Sequence, residues 1–170
     1  MMTVRPLRLI ASLTLVLAPA ATHAAGPPAT QATDIARFFT GRTEGLGRLK
    51  VVMRGAVTVR VQSSGRTERD GTLVLTQVIH EGDKPARTRG WRIRETSPGR
   101  YAATLSDARG PVTLERAGGR LRIAYTGVDG NAYQQWLTFA ADGRSARNTM
   151  EVRKFGMKVA TLDETIRKLD

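Results

Sequence analysis

From Leu49 to Val152 apolar side chains recur at every second position, and this period of two is what most restricts the fold. Val57, Val59 and Val61 alternate with Ala56, Thr58 and Arg60, while Leu73, Leu75, Gln77 and Ile79 alternate with Thr72, Val74, Thr76 and Val78. Trp91 and Ile93, then Tyr101, Ala103 and Leu105, then Val112 and Leu114 carry the pattern on. Leu121, Ile123 and Tyr125, then Tyr133, Gln135, Leu137 and Phe139, then Met150 and Val152 extend it towards the C-terminus. Alternation of this kind gives each strand one face to bury. Turn-forming pairs separate the segments: Ser64-Gly65, Asp70-Gly71, Gly82-Asp83, Pro98-Gly99, Arg109-Gly110, Gly118-Gly119, Asp129-Gly130-Asn131 and Asp142-Gly143. The pattern predicts an all-β chain of about nine or ten strands in an antiparallel up-and-down meander. Closure into one barrel removes the exposed edges.

The opening strand is expected in Phe38-Phe39-Thr40-Gly41-Arg42-Thr43-Glu44-Gly45-Leu46-Gly47-Arg48-Leu49-Lys50, with Leu49, Val51 and Met53 continuing its apolar parity. Its three glycines mark a bulge, a bend, or a place where another group packs on the backbone. Asp34 to Phe39 is expected as one helical turn, capped by Thr33 or Asp34, lying across an open end of the barrel. Thr161 to Leu169 is compatible with a short helix or a strand. A closed barrel needs a last strand to meet the first, so Val159 to Arg167 is expected to pair with Leu46 to Val52.

Ahead of the barrel, Met1 to Ala24 has the positive start (Arg5, Arg8), short apolar run and small-residue cleavage site of a secretory signal. Residues 25–33 then read as a flexible leader and 34–170 as a single barrel domain, giving a periplasmic protein cleaved near Ala24. The chain has no cysteine. Disulfides, thiolate chemistry and a lipid-bearing N-terminal cysteine are excluded, so the core alone must hold the fold. His80 is the only histidine beyond the signal, and no metal site or cofactor is expected. The formal net charge is +12, of which Arg5 and Arg8 would leave with the signal. That excess suits anionic partners, though a solvated arginine-rich face explains it as well.

Several stretches together resemble a family of exported proteins of Gram-negative bacteria classed as a domain of unknown function, many of them lipoproteins. They are Phe38-Phe39-Thr40-Gly41 through Gly47, Asp70-Gly71-Thr72-Leu73, Arg89-Gly90-Trp91-Arg92-Ile93, Asn148, and Lys154-Phe155-Gly156. The resemblance implies a lipocalin-like barrel and a link to lipid metabolism. This chain departs from the family in lacking the anchoring cysteine and in carrying Gln77 where an acidic residue is expected.

If the apolar parity faces inward, Gln77, Arg89, Gln135 and Asn148 go inside with Trp91, Tyr101, Tyr125 and Tyr133. Buried polar groups need hydrogen-bond partners, water or a ligand. Arg89 would therefore meet a ligand carboxylate or phosphate in a hollow barrel, or a carboxylate such as Glu44 in a filled one. Glu44 reaches the interior only if the glycines shift the register. Arg92, Arg94, Arg120 and Arg122, with Trp136, fall on the outward parity, either as a membrane-facing stripe or as a solvated sheet face.

Three functions are compatible with this reading. The first is a monomeric barrel that binds or sequesters an apolar or anionic lipid-like molecule. The second is a basic envelope protein contacting anionic lipid or lipopolysaccharide. The third is a lipid-modifying enzyme, for which no catalytic residues are assigned because no paired acids sit securely on the inner face. Nucleic acid is not an expected partner, since no aromatics interleave with a basic run.

Overall fold

The structure is a computed structural model describing residues 35–170. The expected signal, leader and helix cap lie outside the described residues. A five-residue helix, α1 (Ile35–Phe39), leads into ten strands: β1 (Gly41–Val51), β2 (Gly55–Thr67), β3 (Leu73–Glu81), β4 (Arg87–Ser97), β5 (Arg100–Leu105), β6 (Val112–Ala117), β7 (Arg120–Thr126), β8 (Ala132–Phe139), β9 (Ser145–Lys154) and β10 (Met157–Lys168). Each strand pairs antiparallel with its chain neighbours, and β1 pairs with β10, which closes the barrel. The all-β up-and-down meander read from the alternation is the observed architecture.

The last segment is a strand. It runs beside β1 in unbroken register from Thr43↔Lys168 to Val51↔Ala160. β1 is equally regular against β2, so its glycines create no bulge. Their cause is close packing. A side chain at Gly45 would collide with the Glu164 carboxylate, and one at Gly47 would meet the backbone of Asp163 and Glu164.

Two local expectations are corrected. Ser64-Gly65 is no turn but lies inside β2, and the chain reverses only at Asp70-Gly71. Gly65 is glycine because a Cβ there would collide with the Phe39 carbonyl of α1. Met53 does not extend β1. It occupies the β1–β2 turn with φ of 63° and is 99% exposed.

α1 plugs one end of the barrel. Ile35, Phe38 and Phe39 are buried there among Leu73, Leu75, Ile93, Leu121, Leu137 and Ile166. Phe38 packs edge-on against Phe139 with ring centroids 5.0 Å apart. The Lys168 ammonium donates to the carbonyls of Phe38 and Thr40, tying the end of α1 to β10. In an up-and-down barrel alternate turns share an end. The β1–β2, β3–β4, β5–β6, β7–β8 and β9–β10 connections therefore surround the opposite, unplugged end.

Candidate functional site

Arg89 is positioned by a row of side chains crossing three strands. Ser63, Gln77 and Arg89 are register partners on β2, β3 and β4. Gln77 Nε2 donates to Ser63 Oγ at 3.1 Å, while its Oε1 accepts from Arg89 Nε at 2.8 Å and from Trp91 Nε1 at 2.9 Å. The register through Gly90 is regular, so Arg89 and Trp91 share one wall, with the guanidinium 5.6 Å from the indole centroid. The Gln77 carbonyl oxygen thus orients this pair. Arg89 Nη1 reaches only the Tyr125 hydroxyl, at 3.5 Å. Among the described residues, no carboxylate lies within ion-pair distance of Arg89.

A second polar group crosses β8, β9 and β10. Asn148 Nδ2 donates to Glu164 Oε2 at 2.9 Å and, more weakly, to Gln135 Oε1 at 3.3 Å. Gln135 Nε2 and Asn148 Oδ1 are buried without a partner. Unpaired buried amide atoms cost roughly 1–3 kcal/mol each, so they call for water or a ligand group. Glu164 is 4% exposed, and burial pushes its carboxyl above the ordinary range, although Asn148 and the charge of Arg89 pull the other way.

Arg89, Gln135, Asn148 and Glu164 form the layer between two spaces. Towards α1 lies a small void of about 50 Å³ lined by Ser63 and Gln77 as well as by apolar side chains, including Phe39 and Leu75. Towards the open end lies a cavity of about 600 Å³. Its aliphatic wall comes from Leu49, Val59, Val61, Ile79, Met150 and Leu162. Tyr125 and Tyr133, stacked with centroids 4.9 Å apart, stand on its lining as well. Tyr133 donates to Asp129 at 2.7 Å, and burial together with that carboxylate holds its hydroxyl well above the usual phenol range.

The structure brings together Gln77, Arg89, Trp91, Tyr125, Tyr133, Gln135 and Asn148 from the sequence-predicted set. Tyr101 packs against the apolar core and lies away from both cavities. Glu44 is a correction. With no register shift in β1 it stays on the outer face and is bound by Arg60, whose Nε is 2.7 Å from its carboxylate. The outward basic stripe is largely consumed by local partners: Arg92 pairs with Glu68 at 2.8 Å and Arg122 with Glu115 at 3.0 Å. Arg120 lies 4.5 Å over the Trp136 ring. His80 is exposed on β3, and no group of metal-ligating side chains occurs among the described residues.

Glu164 was missed in the sequence. Its signal was the alternation Leu162, Glu164, Ile166 opposite two glycines, hidden by the choice between helix and strand. Its burial has a measurable consequence. The folded carboxyl holds its proton to higher pH than the unfolded one, so its contribution to stability is full below about 4.5, the ordinary carboxyl value, and is lost as pH rises through the folded value. Glu164→Gln is expected to remove that loss. Its stability relative to the parent should climb above pH 4.5 and then level off in denaturant melts run across pH. Parallel curves for the two proteins would mean that Glu164 is solvated.

A barrel plugged at one end by a helix and open at the other onto a polar-floored cavity defines a lipocalin-like class. Within that class, residues 18–168 match the family described as Protein of unknown function (DUF3833), and the chain belongs to it. Among solved structures, the S-type phycobiliprotein lyase CPES from Guillardia theta is similar, with a TM-score of 0.64. The likeness covers 79% of this chain and 90% of that one at 7% sequence identity, and it speaks to the fold alone. No curated protein matches the sequence.

Proposed function

We propose that this protein binds an anionic lipid-like small molecule, whose head sits on Arg89 and whose apolar part lies along the aliphatic wall. One observation carries the reading. At the floor of a cavity of about 600 Å³, a guanidinium has only neutral hydrogen-bond partners, and the amide donor of Gln135 on the same lining has none. Small-molecule sites typically have about 300–1,000 Å³ of mostly apolar wall with a few convergent polar groups; the volume here fits, and the aliphatic wall is joined by charged side chains including Lys84, Arg87, Asp107 and Asp129. Gln77 and Trp91 hold Arg89 in place before any ligand arrives, so little ordering cost falls on binding. Export to the periplasm belongs to the same proposal and rests on the signal-like character of Met1 to Ala24.

Titration with a fluorescent fatty-acid carboxylate is expected to saturate in the micromolar range. Native mass spectrometry of envelope-purified protein should show an added small-molecule mass. A clean apo mass together with no fatty-acid binding would overturn the reading.

A second reading is favoured by Glu164. A buried carboxyl with a raised proton affinity, facing a cavity, is the usual state of a general base or acid. Acyl-ester turnover that vanished in Glu164→Gln, with ligand affinity retained, would move the protein from carrier to enzyme.

A further inference from the structure

The large apolar side chains exposed on this barrel concentrate at its open end. Met53 is 99% exposed, Phe155 90%, Met157 66% and Val52 58%. All four lie on the β1–β2 and β9–β10 turns or at their edges, and these turns are neighbours because β1 pairs with β10. A bond from Val52 N to the Val159 carbonyl, 2.9 Å, joins them.

The backbone at these tips does not suit the residues it carries. Lys154 pairs with Met157 across a two-residue turn, with Phe155 at φ 49° and Gly156 at φ 80°. Such a turn favours Asn-Gly, and a bulky residue at its first position is strained. Met53 likewise has φ of 63° where glycine or asparagine would sit more easily. Two strained positions thus hold long apolar side chains out into water, where folding gains little from them beyond the Lys154 ammonium 5.8 Å from the Phe155 ring centroid. Around them stand Arg54, Arg153, Lys154 and Lys158, with Glu151 the one acid on these turns and their flanks. Arg153 and Lys158 pair with Glu151, while Arg54 and Lys154 have no carboxylate within ion-pair distance among the described residues.

We propose that this sector of the rim docks on an anionic phospholipid bilayer, with Met53 and Phe155 inserting below the headgroups and Arg54 and Lys154 meeting the phosphates. Apolar tips flanked by cations are what a peripheral contact with such a surface requires. The cavity mouth then faces the bilayer, which gives an apolar ligand a route that avoids water. The docking surface does not depend on what the cavity holds.

The test is co-sedimentation of the exported, processed protein with phosphatidylglycerol-containing vesicles, its intact mass having been checked. Phosphatidylcholine vesicles are the neutral control. The double variant Met53→Asn, Phe155→Asn places a residue suited to each backbone conformation, so its melting temperature should hold or rise. Its affinity for the anionic vesicles is expected to fall about tenfold to a hundredfold, the loss of one or two buried apolar side chains. Arg54→Gln with Lys154→Gln should weaken binding to the anionic vesicles and leave the weak binding to neutral ones unchanged. Fatty-acid titration of the double variant in the absence of vesicles should match the parent, which separates this surface from the cavity. Failure of the parent to pellet with anionic vesicles, or equal pelleting of parent and double variant, would overturn the proposal. Capture of a protein partner through the same tips without vesicle binding would overturn it too.

Discussion

Truncation after Gly156 is expected to leave no cooperatively folding product. The lost segment carries β10, whose inward side chains Ala160, Leu162, Glu164 and Ile166 are all buried. Leu162 and Ile166 alone represent about 3–6 kcal/mol of burial. A domain of this size has a total stability of only about 5–15 kcal/mol. Backbone pairing is lost as well: β1 and β9 each lose a full-length partner and become bare edges. Unpaired edges flanked by newly exposed apolar faces favour aggregation over a smaller closed sheet. The anchor of α1 also goes, since Lys168 no longer reaches the Phe38 and Thr40 carbonyls. Size-exclusion chromatography should show aggregate, and calorimetry no sharp transition. A soluble truncated protein melting cooperatively at the parent's temperature would mean that β10 is an accessory strand and that closure contributes little.

Closure was legible because it follows from a local rule with a global consequence. Period-two alternation with short turns makes consecutive strands neighbours, and only β10 could complete the ring that such a meander demands. Parity likewise placed Gln77, Arg89, Trp91, Gln135 and Asn148 inside, because each lies in a stretch of regular register and the shift at Glu95–Ser97 falls outside those stretches. Where local signals stood for long-range contacts, the sequence misled. Gly65 looks like a turn residue, yet its cause is the Phe39 carbonyl contributed by α1. The glycines of β1 looked like a bulge able to carry Glu44 inward, yet Gly45 and Gly47 clear space for Glu164, more than a hundred residues later. No periodicity shows which end of a barrel is filled. Here α1 fills one end with Phe38 and Phe39, and the space near the other stays open because nothing among the described residues closes it.

Arg89→Met is expected to separate binding from folding. Had the guanidinium been fixed by a buried carboxylate, its removal would strand a charge and cost about 3–5 kcal/mol. Among the described residues Arg89 forms no such ion pair. Gln77 Oε1, which accepts from Arg89 Nε, keeps its bond from Trp91 Nε1 and is not orphaned by the change. Methionine also retains much of the apolar stem that lies beside Trp91. The melting temperature should therefore move by only a few degrees, the shift that about 1 kcal/mol produces in a domain of this size. Ligand binding should change far more. A charge-assisted bond from a guanidinium to a ligand carboxylate is worth about 1.5–3 kcal/mol, so affinity for a fatty-acid carboxylate should fall about tenfold to a hundredfold. The methyl ester of the same acid should bind parent and variant alike. Glu164 offers an internal check, since Arg89 is the one positive charge acting to lower its proton affinity. In Arg89→Met the stability lost as pH rises should therefore extend to higher pH than in the parent. Equal loss of affinity for acid and ester, or no loss for either, would show that Arg89 does not read a ligand headgroup. A drop of 3–5 kcal/mol in stability would show instead that Glu164 and Arg89 act as a structural ion pair in solution.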